Sequence, residues 1–440
     1  MSPKKTWTRS LVLLSVLGIG VSLAGNEVAV RQSTGASRKI SKPPVAAAVA
    51  RTDRPQGVTK VDAELEPLVA TAMSDDARQA ALATQELRQR GRRALQYVLT
   101  RTNPANMPRW KRLADAIAAQ RDSHFCGLYW HTDLAEAQVV AKHEGKPILS
   151  LRLLGNLTDE LSCANSRFFR TTLYPHADVR ALLAERFVLH WQSVRAVPII
   201  TIDFGDGRSI KRTITGNSLH LVLDGNGRTV DVLPGLYGAG FFARVLQESE
   251  SLAKRAANLD DDHFSRELMA FHQQRLSDQE TRWSNDWKQL GEDSIPELGA
   301  ALDDAAWSRL AEYYEPEIGL DNMAVAATQA KQPAEVAGRL AAGKAVAESP
   351  LFAMLRNLLP ALGQDTVKNE YNFHHKIHQW LATQNAPAGD ALVAQIYNDL
   401  FLSPLHDPWY GLSKPDVYSA VENDGRQNVI SSTQNVGHRR

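Results

Sequence analysis

Cys163 is the residue best placed to do chemistry, in the stretch Leu161-Ser162-Cys163-Ala164-Asn165-Ser166. The apolar run Pro147 to Leu154 before it reads as a buried strand, and the apolar and basic run Arg167 to Leu173 after it reads as a helix. A thiol at a helix start is made more acidic by the free N–H groups there and by nearby cations, here Arg167 and Arg170. Ser166 stands three residues on, where its hydroxyl can donate to a thiolate. No second cysteine follows in the loop, so a mixed disulfide on Cys163 needs an outside thiol, or Cys126, to release it. Free cysteine is also among the most buried residue types, so a small packed side chain is the competing reading. A structural Cys126–Cys163 disulfide is a third, open only if the two Cα atoms come within about 7 Å.

A second group is Glu370, His374 and His378, spaced i, i+4, i+8 and therefore on one helical face, with Asp365 and Asn369 extending it. Two histidines four apart can hold a metal ion, with Glu370 beside them. No Glu follows the first histidine, so this is not the His-Glu-x-x-His pattern of zinc proteases. A polar face packed on neighbouring elements, together with Trp380, is the plainer alternative.

Other motifs carry less. Asp203-Phe204-Gly205 lies at a predicted hairpin turn without the other parts of a kinase. The pairs Gly205/Gly207 and Gly225/Gly227 precede no helix and are turn glycines, not phosphate loops. Trp409 and Tyr410, in a Pro- and aromatic-rich segment from Ser403 to Gly425, read as an arm latched onto the helical region, with ring stacking on a sugar or peptide as the alternative. Asn156-Leu157-Thr158 matches a glycosylation sequon, relevant only in a eukaryotic source.

The elements that position these residues belong to a chain of 440 residues, 43% hydrophobic and 22% charged, enough for two or three domains with substantial cores. A net charge of +1 argues against a nucleic-acid partner, since no bulk positive field exists. Two cysteines exclude a multi-disulfide scaffold and a four-cysteine zinc site. Lys4, Lys5 and Arg9 precede an apolar stretch from Leu11 to Ala24 that ends in Ser22-Leu23-Ala24, the pattern of a secretory signal peptide over 1–24. That stretch falls short of the about 20 residues of a membrane span, and no other stretch reaches it. A secreted or periplasmic location without a stable membrane span is expected.

Residues 25–58 are rich in Ala, Pro, Arg and Ser and read as a flexible linker. Residues 60–122 read as helices, over Ala77 to Gly91, Arg92 to Leu99 and Pro108 to Gln120, and resemble a single HEAT-like unit. Between 125 and 255 strands and helices alternate. Strands are expected at Gly127 to Trp130, Pro147 to Leu154 and Phe187 to Trp191. Helices are expected at Asp133 to Glu144 (capped by Thr132), Ala177 to Glu185 and Gly240 to Ala256. Two hairpins are expected, Pro198 to Phe204 with Ser209 to Ile214, and Leu219 to Leu223 with Thr229 to Leu233. Residues 260–422 read as mainly helical, including the alanine-rich Pro333 to Ala347, and the polar tail over 423–440 as disordered.

The stretch "LYWHTDLAEAQVVAKHEGKPILSLRLLG", with "DVRALLAERFVLHW" and "LHLVLDGNGRTVDVLPGLYGAGFFARVLQE" at matching distances, resembles the secreted thioredoxin-like family over 125–255. The resemblance implies an α/β fold, a thioredoxin-like mixed-sheet sandwich flanked by N- and C-terminal helical regions. It places Cys163 on the family's nucleophilic cysteine and Ser166 on its resolving one. Two departures stand out. The second cysteine is missing, and Thr215-Gly216-Asn217-Ser218 carries no proline where the family has a cis-proline. An added segment, "VPIITIDFGDGRSIKRTITGN", is expected to form a rim over the site.

Three functions follow as expectations: monothiol disulfide exchange through Cys163 with Ser166, Arg167 and Arg170; a non-catalytic binding scaffold; and a metal site at His374 and His378 with Glu370. No cofactor is expected, and the partners are protein thiols or disulfides, or a protein partner.

Overall fold

The computed structural model describes residues 60–101, 107–213, 217–292, 294–314, 361–384, 386–412 and 420–425. The expected signal peptide, the linker, Pro333 to Ala347 and the tail beyond 425 lie outside the described residues. The chain divides into two compact units, Met1–Leu113 and Ala114–Arg440.

In the first unit, α1 (Lys60–Ala72), α2 (Ala77–Gln89) and α3 (Arg92–Thr100) pack through Leu65, Val69, Leu87, Leu95 and Val98, all buried. Asp76 caps α2 by accepting the N–H groups of Arg78 and Gln79, both at 3.0 Å. Gly91, at φ +69°, makes the break between α2 and α3. The next helix, α4 (Met107–Ala118), starts in this unit and ends in the second, so the helical region expected over 60–122 is divided at 113.

The second unit is mixed α/β. A four-stranded sheet has the order β2-β1-β5-β6, built from β1 (Ile148–Leu154), β2 (Val188–Arg195), β5 (Ser218–Leu223) and β6 (Thr229–Pro234). β1 pairs parallel with β2 and antiparallel with β5, and β5 pairs antiparallel with β6. Every residue of β1, β5 and β6 is buried, which is why these strands read as apolar runs without clean alternation. Helix α5 (Leu134–Glu144) precedes β1; α6 (Ala164–Phe168), a π turn (Phe169–Leu173) and α7 (Ala177–Arg186) separate β1 from β2; α8 (Ala239–Ala256) follows β6. At the β5–β6 turn the Asp224 carboxylate accepts the N–H groups of Asn226 (2.9 Å) and Arg228 (2.8 Å). Gly227 there has φ +86°, and an added Cβ would collide with Gln138.

The hairpin β3 (Ile199–Asp203) and β4 (Ser209–Thr213) forms a separate two-stranded sheet, exposed along nearly its whole length. The C-terminal helices are α9 (Asp261–Gln289), α10 (Asp304–Tyr313), a helical stretch over 361–368 with a π turn (Asn369–His374), α11 (His375–Leu381) and α12 (Gly389–Gln395), which runs into a π turn (Ile396–Leu400). They share one hydrophobic core with the sheet: Trp283, Trp307, Tyr371, Ile377, Leu392 and Ile396 are contiguous with Leu151, Leu221 and Val232. No helix among the described residues is long and apolar enough to cross a membrane.

Several expectations are corrected. Gly127 to Trp130 is not a strand, because only His131 meets the sheet, in a single bridge to His190. The Trp130 N–H goes instead to the carbonyl of Ala118. Asp133, not Thr132, caps α5, accepting the Glu136 N–H at 2.9 Å. The helix after Cys163 begins at Ala164 and widens to a π turn at Phe169. Residues 423–425, at the start of the tail expected to be disordered, lie in a short 3-10 turn, Glu422–Gly425, in keeping with the turn chemistry of Asn-Asp-Gly.

Candidate functional site

Cys163 sits where β1 ends and α6 begins. Its N–H donates to the Leu154 carbonyl at 3.2 Å, and its sulfur accepts the Ser166 N–H at 3.4 Å. The side chain is fully buried. Helix α6 has only five residues before the π turn, so few aligned peptide dipoles face the thiol.

The three residues expected to assist Cys163 are engaged elsewhere. The Ser166 hydroxyl is 2.8 Å from the Cys163 carbonyl and 2.7 Å from Ser162 Oγ, so it braces the loop; only the backbone of Ser166 meets the sulfur. Arg167 reaches the Thr213 hydroxyl on β4 at 3.1 Å. Arg170 donates to the Asp159 carbonyl (2.7 Å), Ser162 Oγ (3.0 Å) and the Glu160 carbonyl (3.3 Å), and pairs with Asp122 at 3.0 Å. Burial lowers the Arg170 pKa against the pull of Asp122. The arginines thus fix the Cys163 loop and tie it to the hairpin.

Around the thiol lie tyrosines from distant parts of the chain. Burial raises the hydroxyl pKa values of Tyr174, Tyr397 and Tyr410, and the neighbouring Cys163 adds to each. Tyr397 donates to the Asn217 carbonyl at 3.0 Å, beside the start of β5. Tyr410 lies under the Arg195 guanidinium, 4.6 Å from the ring centre, and Arg195 also donates to the carbonyls of Leu405 (3.1 Å) and Asp407 (2.7 Å). Ser403 to Leu412 is therefore an arm laid against the sheet end that carries Cys163.

The Cys126–Cys163 disulfide that the sequence left open is not formed: both cysteines are free. Cys126 is buried against Gln120, whose Nε2 lies 3.2 Å from its sulfur, and burial raises its pKa. A cleft of about 860 Å³ opens beside the Cys163 loop, between Gly155, Asp159 and Glu160 on one side and Val197, Lys211 and Arg212 on the other. Cys163 does not line it.

The histidine group is brought together, with partners that spacing did not reveal. His374 lies between two carboxylates, with Nε2 2.9 Å from Asp231 Oδ1 and Nδ1 3.1 Å from Glu370 Oε2. Burial alone would lower its pKa, but Asp231 and Glu370 reverse the sign and lift it to about 10. His378 Nδ1 is 2.8 Å from His272 Nδ1 and 4.0 Å from Asp231 Oδ1. Burial lowers the His272 pKa to about 4 and depresses His378 further. Ser249 donates to Asp231 Oδ2 at 2.6 Å. Asp365 stands apart from this group, its carboxyl raised to about 6 by burial against the opposing charge of Lys368. Asp231 and His272 had a legible signal: one is a charge inside the apolar strand Thr229–Pro234, the other a histidine on the buried Phe264-Leu268 stripe of α9.

Comparison of the chain with protein-family profiles, with curated proteins and with solved structures finds no match.

Proposed function

We propose that the chain is a non-catalytic binding protein on a degenerate thioredoxin-like frame. The strand order β2-β1-β5-β6, with one parallel and two antiparallel pairings, supports that frame. So does a cysteine at the helix start after β1, and a helix after the last strand.

The observation that carries the binding role is the β3–β4 hairpin. Ile199, Ile200, Ile202, Phe204 and Ile210 are all exposed on it, and Phe204 at its tip is 54% exposed. In the β3–β4 register Ile200, Ile202 and Ile210 share one face, and exposed apolar surface of this kind marks an interaction site. Ile199, Lys211 and Arg212 also line the cleft beside the Cys163 loop. Isoleucines interleaved with Arg208, Lys211 and Arg212 suit a protein partner that offers apolar side chains with carboxylates around them. The amino-terminal pattern supports a secreted or periplasmic setting.

Monothiol exchange is the second reading, favoured by the Ser166 N–H on the Cys163 sulfur. Burial of that sulfur counts against it, since exchange needs in-line access for an incoming disulfide. The test has two arms. Cys163 should take up iodoacetamide only on unfolding, and a photo-crosslinking phenylalanine analogue at position 204 should give a discrete adduct in the source cells that Ile200→Asp removes. Rapid alkylation of the folded chain, with disulfide reduction lost in Cys163→Ser, would replace this reading by exchange.

A further inference from the structure

We propose that Asp231, His272, His374 and His378 form a closed site for a tetrahedral divalent metal ion such as Zn²⁺, fastening the sheet to the C-terminal helices. The proposal is independent of the binding role.

Its first support is convergence. One potential ligand atom each from Asp231, His272 and His378 lie within 4.8 Å of one another, on three separate elements: β6, α9 and α11. His374 Nε2 is 2.9 Å from the same Asp231 oxygen. Ligand atoms of a tetrahedral zinc ion bound at roughly 2.0–2.1 Å stand roughly 3.3 Å apart. The separations of 2.8 Å (His272–His378), 2.9 Å (Asp231–His374) and 4.0 Å (Asp231–His378) lie on either side of that spacing. His374 stands outside the group of three and would swing its Nε2 toward the other imidazoles to supply the fourth ligand.

The second support is the outer layer. Metal-bound imidazoles characteristically hold their other nitrogen on a carboxylate or a backbone carbonyl, which fixes ring and tautomer. His374 Nδ1 meets Glu370 Oε2, and His272 Nε2 lies 3.0 Å from the Val230 carbonyl, which turns His272 Nδ1 toward the centre, where it meets His378 Nδ1. The second oxygen of Asp231 is held by Ser249. Glu370, expected from its spacing to be a ligand, is in this arrangement a positioning residue behind His374. Gln279 and Arg282 hold Glu370 in turn, each at 3.4 Å from Oε1.

The third support is composition and burial. Three imidazoles and one carboxylate suit zinc and its first-row neighbours. All four side chains are buried, which describes a structural centre with no open position.

The experiment uses the full untagged chain, unfolded with chelator and refolded with or without Co²⁺. One cobalt per chain should be retained, with the strong visible bands of a tetrahedral centre, and the melting temperature should rise by at least about 5 °C. His272→Ala and His378→Ala should each abolish the bands, while His263→Ala, at an exposed position, should keep them. X-ray absorption of the wild-type cobalt protein should show about three imidazoles in the first shell, a readout that stands even if a variant fails to fold. Substoichiometric cobalt in the wild type, or bands that survive both core substitutions, would overturn the proposal and leave a metal-free hydrogen-bonded cluster.

Discussion

At the residue scale, burial decides which groups can act. His190 and His220 are buried neutral in the sheet, their pKa values lowered to about 3. Desolvation dominates for both, and for His190 the charges of Arg152 and His131 add to it against Asp133. His190 bonds Ser150 Oγ at 2.8 Å and His220 bonds the Tyr174 hydroxyl at 2.7 Å. An unfolded histidine titrates near 6.5, so between pH 6.5 and 3 the unfolded chain binds protons that the folded chain does not. The stability from these two residues is complete above pH 6.5 and falls as pH drops to 3, by up to about 1.4 kcal/mol per pH unit for each. Denaturant titrations from pH 7 to 4 should show that slope, and His220→Asn should reduce it; an unchanged slope would mean His220 is charged in the fold. The position of Cys163 between strand and helix was legible in the sequence. The destinations of Arg167 and Arg170 were not, because they depend on Thr213 and Asp122, which folding alone brings near; the Ser166 bond to Ser162 is local.

At the element scale, the strands and turns were the most legible features, since Asp-Gly and Asn-Gly turns and apolar runs are local signals. Asp224 shows why the β5–β6 turn holds: one buried carboxylate takes two turn N–H groups and the Arg228 guanidinium. Asp224→Ala should cost about 1–3 kcal/mol, read as a lowered denaturation midpoint with unchanged slope. The β3–β4 hairpin predicts the opposite. Ile200→Asp and Phe204→Asp should shift stability by no more than about 0.5 kcal/mol, because neither side chain enters the core. A large loss of stability there would mean that the hairpin packs on the fold. The strand expected at Gly127 to Trp130 failed because local apolarity cannot say whether a neighbour is left to pair with.

For the whole of the second unit, the sheet and the C-terminal helices share one core, and sequence alone did not decide between a separate helical domain and such sharing. They should therefore unfold in a single transition, with sheet and helix probes coincident; two transitions would show that the core is divided. The arm from Ser403 to Leu412 belongs to this scale, since Arg195 at the end of β2 holds it by two hydrogen bonds and a ring contact. Arg195→Ala should release the arm at a cost of about 1–3 kcal/mol and speed alkylation of Cys163. Unchanged alkylation with a released arm would mean that other elements cover the thiol.

The π turn Asn369–His374 has a consequence for how insertions and deletions are tolerated. In an α-helix, residues four apart drift by roughly 40° around the axis, so Glu370, His374 and His378 would splay. The wider turn takes back much of that drift between Glu370 and His374, and the three residues stay in line. Deleting Lys376 from the regular helix α11 would swing everything before it by roughly 100° relative to His378. Glu370 and His374 would then turn away from His378, although no residue of the cluster had been changed. The alignment of the cluster is thus stored in chain length as much as in residue identity.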